Sequence, residues 1–329
     1  MEDNRKGYIN NAGVPGELRR DELDTAENRD GYAILQWQAN DDWDWLLGAR
    51  TSSLEFSVDD HYLIPTKNAD DSGERNFNQA AEAIATRYHL NEQWSLQAAL
   101  GEGFETPTLT EMAYTNNDQG FNNSLQASDN RQRQLGIEYQ QAGLNLAVTA
   151  FSITSRHELV VDQSVNGRTT YRNAAGTERT GIELNGNWQI SPAWDARLAI
   201  TSLDASYDGG QYDGLQLPGV ARLNQYAQLN WRPWQNALLL LSMSGTHRSE
   251  VATHDSNAIK APDYTIVDIA ASGSIALVTR TELRWWLTLA NATDQTYVGS
   301  VIVNQSNNRA FEPASQRNLS GGLALDLSF

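Results

Sequence analysis

Apolar and polar residues alternate with period two along most of this chain, and that periodicity restricts it to β-structure whose two faces meet different surroundings. The segment 181–190 puts Ile182, Leu184, Trp188 and Ile190 on one face and Glu183, Asn185, Asn187 and Gln189 on the other. In 282–289, Leu283, Trp285, Leu287 and Leu289 alternate with Glu282, Arg284, Trp286 and Thr288. The run 222–231 sets Leu223, Ala227, Leu229 and Trp231 against Arg222, Asn224, Tyr226, Gln228 and Asn230. Two architectures use such strands. In a soluble sandwich the apolar faces meet each other across a shared core. In a membrane barrel they meet lipid, and the polar faces line an aqueous lumen.

The connections separate the two. The pattern predicts strands near 31–40, 43–58, 78–90, 93–104, 131–141, 144–156, 178–190, 193–207, 219–232, 235–248, 262–274, 281–292 and 315–329. Every second connection is short: Asp41-Asp42, Asn91-Glu92, Gln141-Ala142-Gly143, Ser191-Pro192 and Pro233-Trp234. The others, 59–77, 105–130, 157–177, 208–218, 249–261 and 293–314, are long and polar. Short turns at one end and long loops at the other are what an outer-membrane barrel produces. Strands of about 9–14 residues also exceed the globular mode of about 5–6. Trp43, Trp45, Trp94, Trp188, Trp194, Trp231 and Trp234 lie beside the short turns, as an interfacial aromatic girdle would. No run of about 18 apolar residues occurs, and the mean hydropathy of -0.54 suits a barrel as well as a soluble protein, because its two faces average out.

The fold expected is therefore all-β, an antiparallel up-and-down transmembrane barrel portion of about 13 strands. An odd number does not close a bacterial single-chain barrel. If the last strand ends in the periplasm, the strand at 31–40 descends from outside, and residues 1–30 are expected to be the remnant of an extracellular loop. MEDNRKGYINN holds no apolar core of a signal peptide. The chain is thus expected to be the end of something longer, with open sheet edges.

Composition excludes several functions. With no cysteine, there is no disulfide framework, thiolate metal site or Cys nucleophile. A net charge of -17 argues against a nucleic-acid partner, which needs a basic footprint. His61, His89, His157, His247 and His254 show no metal-site spacing, and the acidic pairs Asp59-Asp60, Asp70-Asp71 and Asp21-Glu22 lack an EF-hand pattern. Glu102 and Glu105, three apart on a strand, fall on opposite faces and make no acid–base pair. No catalytic residue, metal or cofactor is expected, and the chain is read as a non-enzyme; a small-barrel hydrolase would require a Ser/His/acid cluster.

Three blocks carry a family resemblance. Gly101-Glu102-Gly103-Phe104-Glu105-Thr106-Pro107-Thr108-Leu109-Thr110-Glu111 resembles a block that ends a strand and opens an external loop in TonB-dependent outer-membrane receptors. Asn173-Ala174 followed by Gly181-Ile182-Glu183-Leu184, and Leu287-Thr288-Leu289-Ala290-Asn291-Ala292-Thr293-Asp294 with Tyr297, match the same family in the same order. Leu323, Leu325, Leu327 and Phe329 resemble the terminal signal read by the outer-membrane assembly machinery. Further blocks, among them Asn4-Arg5-Lys6-Gly7-Tyr8, Gly16-Glu17-Leu18-Arg19-Arg20-Asp21-Glu22, Asp60-His61-Tyr62 and Gly167-Arg168-Thr169-Thr170-Tyr171, are similar to the branch of enteric receptors that takes up pyrroloquinoline quinone.

The resemblance implies a 22-stranded barrel in the bacterial outer membrane, filled by an N-terminal plug on which the TonB complex pulls. This sequence contains no plug and no TonB box. The expected ligand is a small anion, pyrroloquinoline quinone first and a ferric siderophore second; a truncated product without transport activity is the further alternative. A flat tricarboxylate calls for Arg or Lys with aromatic faces. Loop residues offering that combination are Arg168 with Tyr171 and Arg172, Arg248 with Lys260, and Arg309 with Phe311. Each can equally be a solvated loop charge or pair with a neighbouring carboxylate.

Overall fold

The computed structural model describes residues 1–64, 70–115, 121–165, 168–234, 238–278, 281–307 and 309–327. Along the chain run β1 (Glu2–Asn11), β2 (Val14–Asn40), β3 (Trp43–Asp60), β4 (Gly73–His89) and β5 (Trp94–Glu105). A four-residue helix, α1 (Leu109–Met112), precedes β6 (Ser128–Gln141) and β7 (Leu144–Arg156). The hairpin β8 (Leu159–Val165) and β9 (Arg168–Asn173) leads into β10 (Gly176–Ser191), β11 (Trp194–Tyr207), β12 (Leu223–Trp231) and β13 (Leu240–Arg248). The two-residue strands β14 (Val251–Ala252) and β15 (Lys260–Ala261) pair before β16 (Tyr264–Val278) and β17 (Thr281–Ala290). Last come β18 (Val298–Val301), β19 (Phe311–Pro313) and β20 (Asn318–Leu327).

Fourteen strands form one antiparallel sheet in the order β1-β2-β3-β4-β5-β6-β7-β10-β11-β12-β13-β16-β17-β20. Each strand pairs with its neighbour in sequence once the three loop hairpins are set aside, as up-and-down topology requires. β1 and β20 stand at opposite ends and are not paired with each other among the described residues.

The pairing registers carry one apolar row after another across the sheet. Leu35, Leu47, Ile84 and Leu100 are successive cross-strand partners. So are Val148, Leu184 and Ile200, and Met243, Ile269, Leu289 and Leu319. Near the short turns this face carries aromatic clusters. Trp43 lies 5.7 Å from Trp45 and 4.6 Å from Tyr88; Trp94 lies 4.6 Å from Tyr139, and Trp194 stacks on Trp231 at 5.4 Å. These large rings remain partly or fully exposed, which is costly in water and suited to the interfacial zone of a bilayer. No described helix is long and apolar enough to cross a membrane; the crossing elements are strands.

The opposite face is polar and cross-linked by ion pairs between adjacent strands: His89 with Asp44 at 2.8 Å, Arg87 with Glu138 at 3.4 Å, Arg50 with Asp30 at 2.8 Å, and Arg284 with Asp326. On this face Phe151 lies over Gly181, where a Cβ would sit 2.6 Å from the ring edge. Glycine in that sequence block is thus fixed by close packing across the strand pair.

The main sheet has 14 strands against the expected number of about 13, because residues 1–30 contribute paired strand of their own. They form β1 and the first half of β2, joined at Ala12-Gly13, both with positive φ (53° and 91°), with Gly13 N–H donating to Asn10 Oδ1 at 2.7 Å. β2 is 27 residues long, roughly 90 Å at about 3.3 Å per residue, so its first half stands clear of the apolar band. Both faces there are polar, and the apolar alternation that marks the lower strands is missing. The loops, too, are folded: β8–β9, β14–β15 and β18–β19 are hairpins within them. The terminal Phe329 lies outside the described residues, as does Gly167.

A cationic vestibule at the long-loop end

The loop between β5 and β6 folds inward rather than outward. Thr108 and Glu111 form a reciprocal capping box at α1, with Thr108 N–H donating to Glu111 Oε2 at 2.8 Å and Glu111 N–H to Thr108 Oγ1 at 3.2 Å. The helix places Met112, fully buried, with Leu125 and Ala127 against Phe56 of β3 and Phe77 of β4. Phe56 and Phe77 belong to the polar face of the sheet by register, so this small core sits inside the lumen mouth.

Just past α1, Tyr114 projects toward the β1–β2 hairpin. Arg20 Nη1 donates to its hydroxyl at 2.8 Å, with the guanidinium carbon 5.2 Å from the ring centre. Arg168 of β9 lies 4.9 Å from the same ring. The result is a cleft of about 660 Å³ lined by Arg5, Lys6, Arg19, Arg20 and Arg168 together with Tyr62 and Tyr114. Its carboxylates are Glu22, Asp60 and Asp71, so five cations face three acids. Asp24 and Asp21 pair with Arg5 and Lys6 from outside this lining, so cations and acids balance locally in a chain of net charge -17.

The acids are partly spoken for. Asp60 accepts from the Tyr62 and Asp71 backbone N–H groups at 2.9 and 3.2 Å. Arg5 pairs with Asp24 at 3.1 Å, Lys6 with Asp21 at 3.2 Å, and Arg20 with Glu22 at 2.6 Å. Burial holds the Glu22 carboxyl above its usual range against the opposing pull of Arg20. Asp71 is likewise raised, by burial and then by Asp60.

The expected site residues separate. Arg168 lines the cleft. Arg172, on the same short strand, points elsewhere: it pairs with Asp255 at 2.9 Å and Asp162 at 3.4 Å, and lies 5.5 Å from the Tyr212 ring. Asp255 also accepts from Tyr207 Oη at 2.5 Å and Asn304 Nδ2 at 3.1 Å. Asn304 in turn donates to the Val161 carbonyl at 2.7 Å. This buried knot ties together the loops after β7, β11, β13 and β17, and burial together with Asp255 pushes the Tyr207 hydroxyl far above its usual range. Tyr171 packs against the Met112–Leu125 core. Arg248 donates to the Gly219 carbonyl at 3.2 Å, and Lys260 pairs with Glu250 at 2.6 Å. Arg309 is exposed, and Phe311 pairs with Val301 in β18–β19. Among the described residues no group of three His, Asp or Glu side chains converges to hold a metal ion.

Arg5, Lys6, Arg19, Arg20, Tyr62 and Tyr114 were not anticipated as a site. The available signal was the pair of basic doublets Arg5-Lys6 and Arg19-Arg20 flanking Ala12-Gly13; a hairpin turn there sets Gly7 opposite Arg20 and Lys6 opposite Asp21.

Comparison with known proteins places this architecture. Residues 2–292 match the sequence profile of the TonB dependent receptor-like β-barrel. The chain belongs to the TonB-dependent receptor β-barrel family. The pesticin receptor of Yersinia enterocolitica is 24% identical over 208 residues, which cover 63% of this chain and 30% of that protein. The ferric yersiniabactin uptake receptor of Yersinia pestis superposes with a TM-score of 0.73 at 19% identity, over 94% of this chain and 47% of that one. The siderophore receptor PiuA of Acinetobacter baumannii gives 0.76 at 17%, over 95% and 45%. At these identities the structural likeness speaks for the fold. The receptor chain spans 30% of the length of the curated relative. Membership makes it an outer-membrane β-barrel, and these relatives are receptors rather than enzymes.

Proposed function

We propose that this chain forms the ligand-selecting wall of an outer-membrane uptake receptor and binds a small, multiply charged anion in the vestibule around Tyr114. The observation that carries the reading is the five-cation cleft, in which two guanidinium groups flank one aromatic ring. Guanidinium forks recognise carboxylates and similar planar anions by paired hydrogen bonds, and aromatic faces hold flat ligands by stacking. A ferric siderophore chelate is the class that the names of the relatives favour. Pyrroloquinoline quinone is the second candidate, supported by the Arg168-Thr169-Thr170-Tyr171 block and by the guanidinium groups beside the Tyr114 ring. Energy from the TonB complex and a plug supplied by the rest of the receptor complete the proposed transport cycle.

The test is equilibrium binding to the full-length receptor of a panel of ferric siderophores and of pyrroloquinoline quinone. Arg168→Ala and Arg20→Ala should each weaken the bound ligand by about tenfold or more, the usual worth of a charge-assisted contact. Arg309→Ala, outside the cleft, should leave affinity unchanged. Equal affinity in all three variants would remove the vestibule from the binding site.

A further inference from the structure

Arg168 reaches the vestibule from β9, and β9 is held from outside the vestibule. Successive side chains of a strand point to opposite sides. Tyr171 packs against the Met112–Leu125 core, while its neighbour Arg172 pairs with Asp255. The partner strand β8 is stitched to a third segment, residues 303–306 of the loop between β17 and β20. Ser164 N–H donates to the Asn304 carbonyl and Ser306 N–H to the Ser164 carbonyl, both at 3.1 Å. Ser164 is buried and stands opposite Thr169, the residue beside Arg168, with the two hydroxyls 3.1 Å apart.

Two residues close this assembly. Asn304 has a φ of 53°, a left-handed conformation that Asn adopts more readily than most residues. In that conformation every polar group it carries has a partner. Its N–H donates to the Thr253 carbonyl at 2.9 Å, and its own carbonyl accepts from Ser164. Its Nδ2 donates to the Val161 carbonyl at 2.7 Å and to Asp255 Oδ2 at 3.1 Å, and its Oδ1 accepts from the Asp255 N–H at 3.1 Å. Asp255 is buried and accepts from Arg172, Tyr207 and Asn304. The loops that carry Asp255 and Asn304 supply none of the described residues lining the cleft. Their link to it runs through β8 and β9, where Arg172 is about 13 Å from Arg168 along the strand at about 3.3 Å per residue.

We propose that Asn304 and Asp255 are positioning residues, which fix β9 so that Arg168 stands over the Tyr114 ring before ligand arrives. The inference rests on the vestibule being the binding site. A charged group held ready by its supporting residues needs no ordering when the ligand binds. Loosening that support therefore weakens binding even though the contacting group is kept. Affinity is thus set in part by the loops after β13 and β17, which stay outside the cleft.

Two variants of the full-length receptor test this: Asn304→Gly, which keeps the left-handed backbone, and Asp255→Asn, which keeps the side-chain shape. In the ligand-free receptor both should speed hydrogen exchange at 159–165 and 168–173, while β2 and β3 exchange as in the wild type. Affinity for pyrroloquinoline quinone or ferric yersiniabactin, whichever the wild type binds, should fall about three- to tenfold in each, the scale on which members of one network couple. In an Arg168→Ala background the same changes should cost nothing further; in an Arg20→Ala background they should cost as much as in the wild type. Equal losses with and without Arg168 would give Asn304 and Asp255 a merely structural role and overturn the proposal, as would unchanged exchange at 168–173. A wild type that binds neither probe, or Arg168→Ala binding as tightly as the wild type, would overturn the vestibule reading instead, a failure told apart by accelerated exchange in the same two variants.

Discussion

Glu158 is half of a half-buried pair at the mouth of the barrel: Arg179 Nη2 donates to it at 2.5 Å, and Thr177 Oγ1 donates to the same carboxylate. Burial alone would raise its pKa, but the bonds from Arg179 and Thr177 together outweigh that and leave the carboxyl below its ordinary range. A carboxyl whose folded pKa lies below its unfolded value stabilises the fold above the unfolded pKa, near 4.5, and loses that contribution as pH falls through the folded value. Hydrogen-exchange protection in 157–179, taken relative to the intrinsic rate at each pH, should therefore stay constant from neutral pH to about pH 5 and fall below about pH 4. Glu158→Gln should abolish that acid-side change; a variant that keeps it would show that another group drives the opening. Nothing in the sequence marked Glu158 as Arg179's partner, because they meet only when the chain returns along β10. Arg168 stands out in the sequence as a loop arginine near aromatics, and the fold sets it 4.9 Å from the Tyr114 ring, where anion binding belongs to the proposed function. Arg172 had the same local appearance, and only the position of Asp255, a distant loop residue, gives it a structural tie.

At the scale of elements, the lower strands follow directly from alternation, because lipid on one side and water on the other select opposite residues at every step. Above the apolar band that selection stops. β1 and the first half of β2 have lipid on neither face and polar vestibule groups such as the buried Glu22 and Asp24 on one, so Glu2–Asn11 carries no period-two apolar signal although it is paired with β2. The loops fold for a third reason, small apolar cores of their own. Met112 is fully buried beside Leu125, Phe56 and Phe77, and these contacts are what hold the inward-folded segment carrying Tyr114. Met112→Ala should cost about 2–5 kcal/mol locally, as for other buried methionines. The change should speed hydrogen exchange in 106–127 and weaken ligand at Tyr114, while exchange in β10 and β11 stays as in the wild type. Equal acceleration throughout the sheet would show that the loop and barrel unfold as one unit.

For the whole molecule, the sheet divides space into an apolar outside and a polar inside, and every functional assignment above depends on which side a residue takes. Parity in the strand pairs assigns those sides: Leu135, Leu198 and Leu229 look outward, while Gln134, Arg197 and Gln228 look into the lumen. These 329 residues contain no cysteine, so each of these positions, once changed to cysteine, is the single labelling site in this part of the barrel; any cysteine elsewhere in the receptor is first replaced by serine. The decisive measurement is the collision accessibility of a nitroxide at each of the six, in the full-length receptor reconstituted in liposomes. Labels at 135, 198 and 229 should collide more with oxygen, which dissolves in lipid, and labels at 134, 197 and 228 more with a water-soluble nickel chelate. Labels at 135, 198 and 229 shielded from both reagents, as a dry interior between two packed sheets would leave them, would contradict the account.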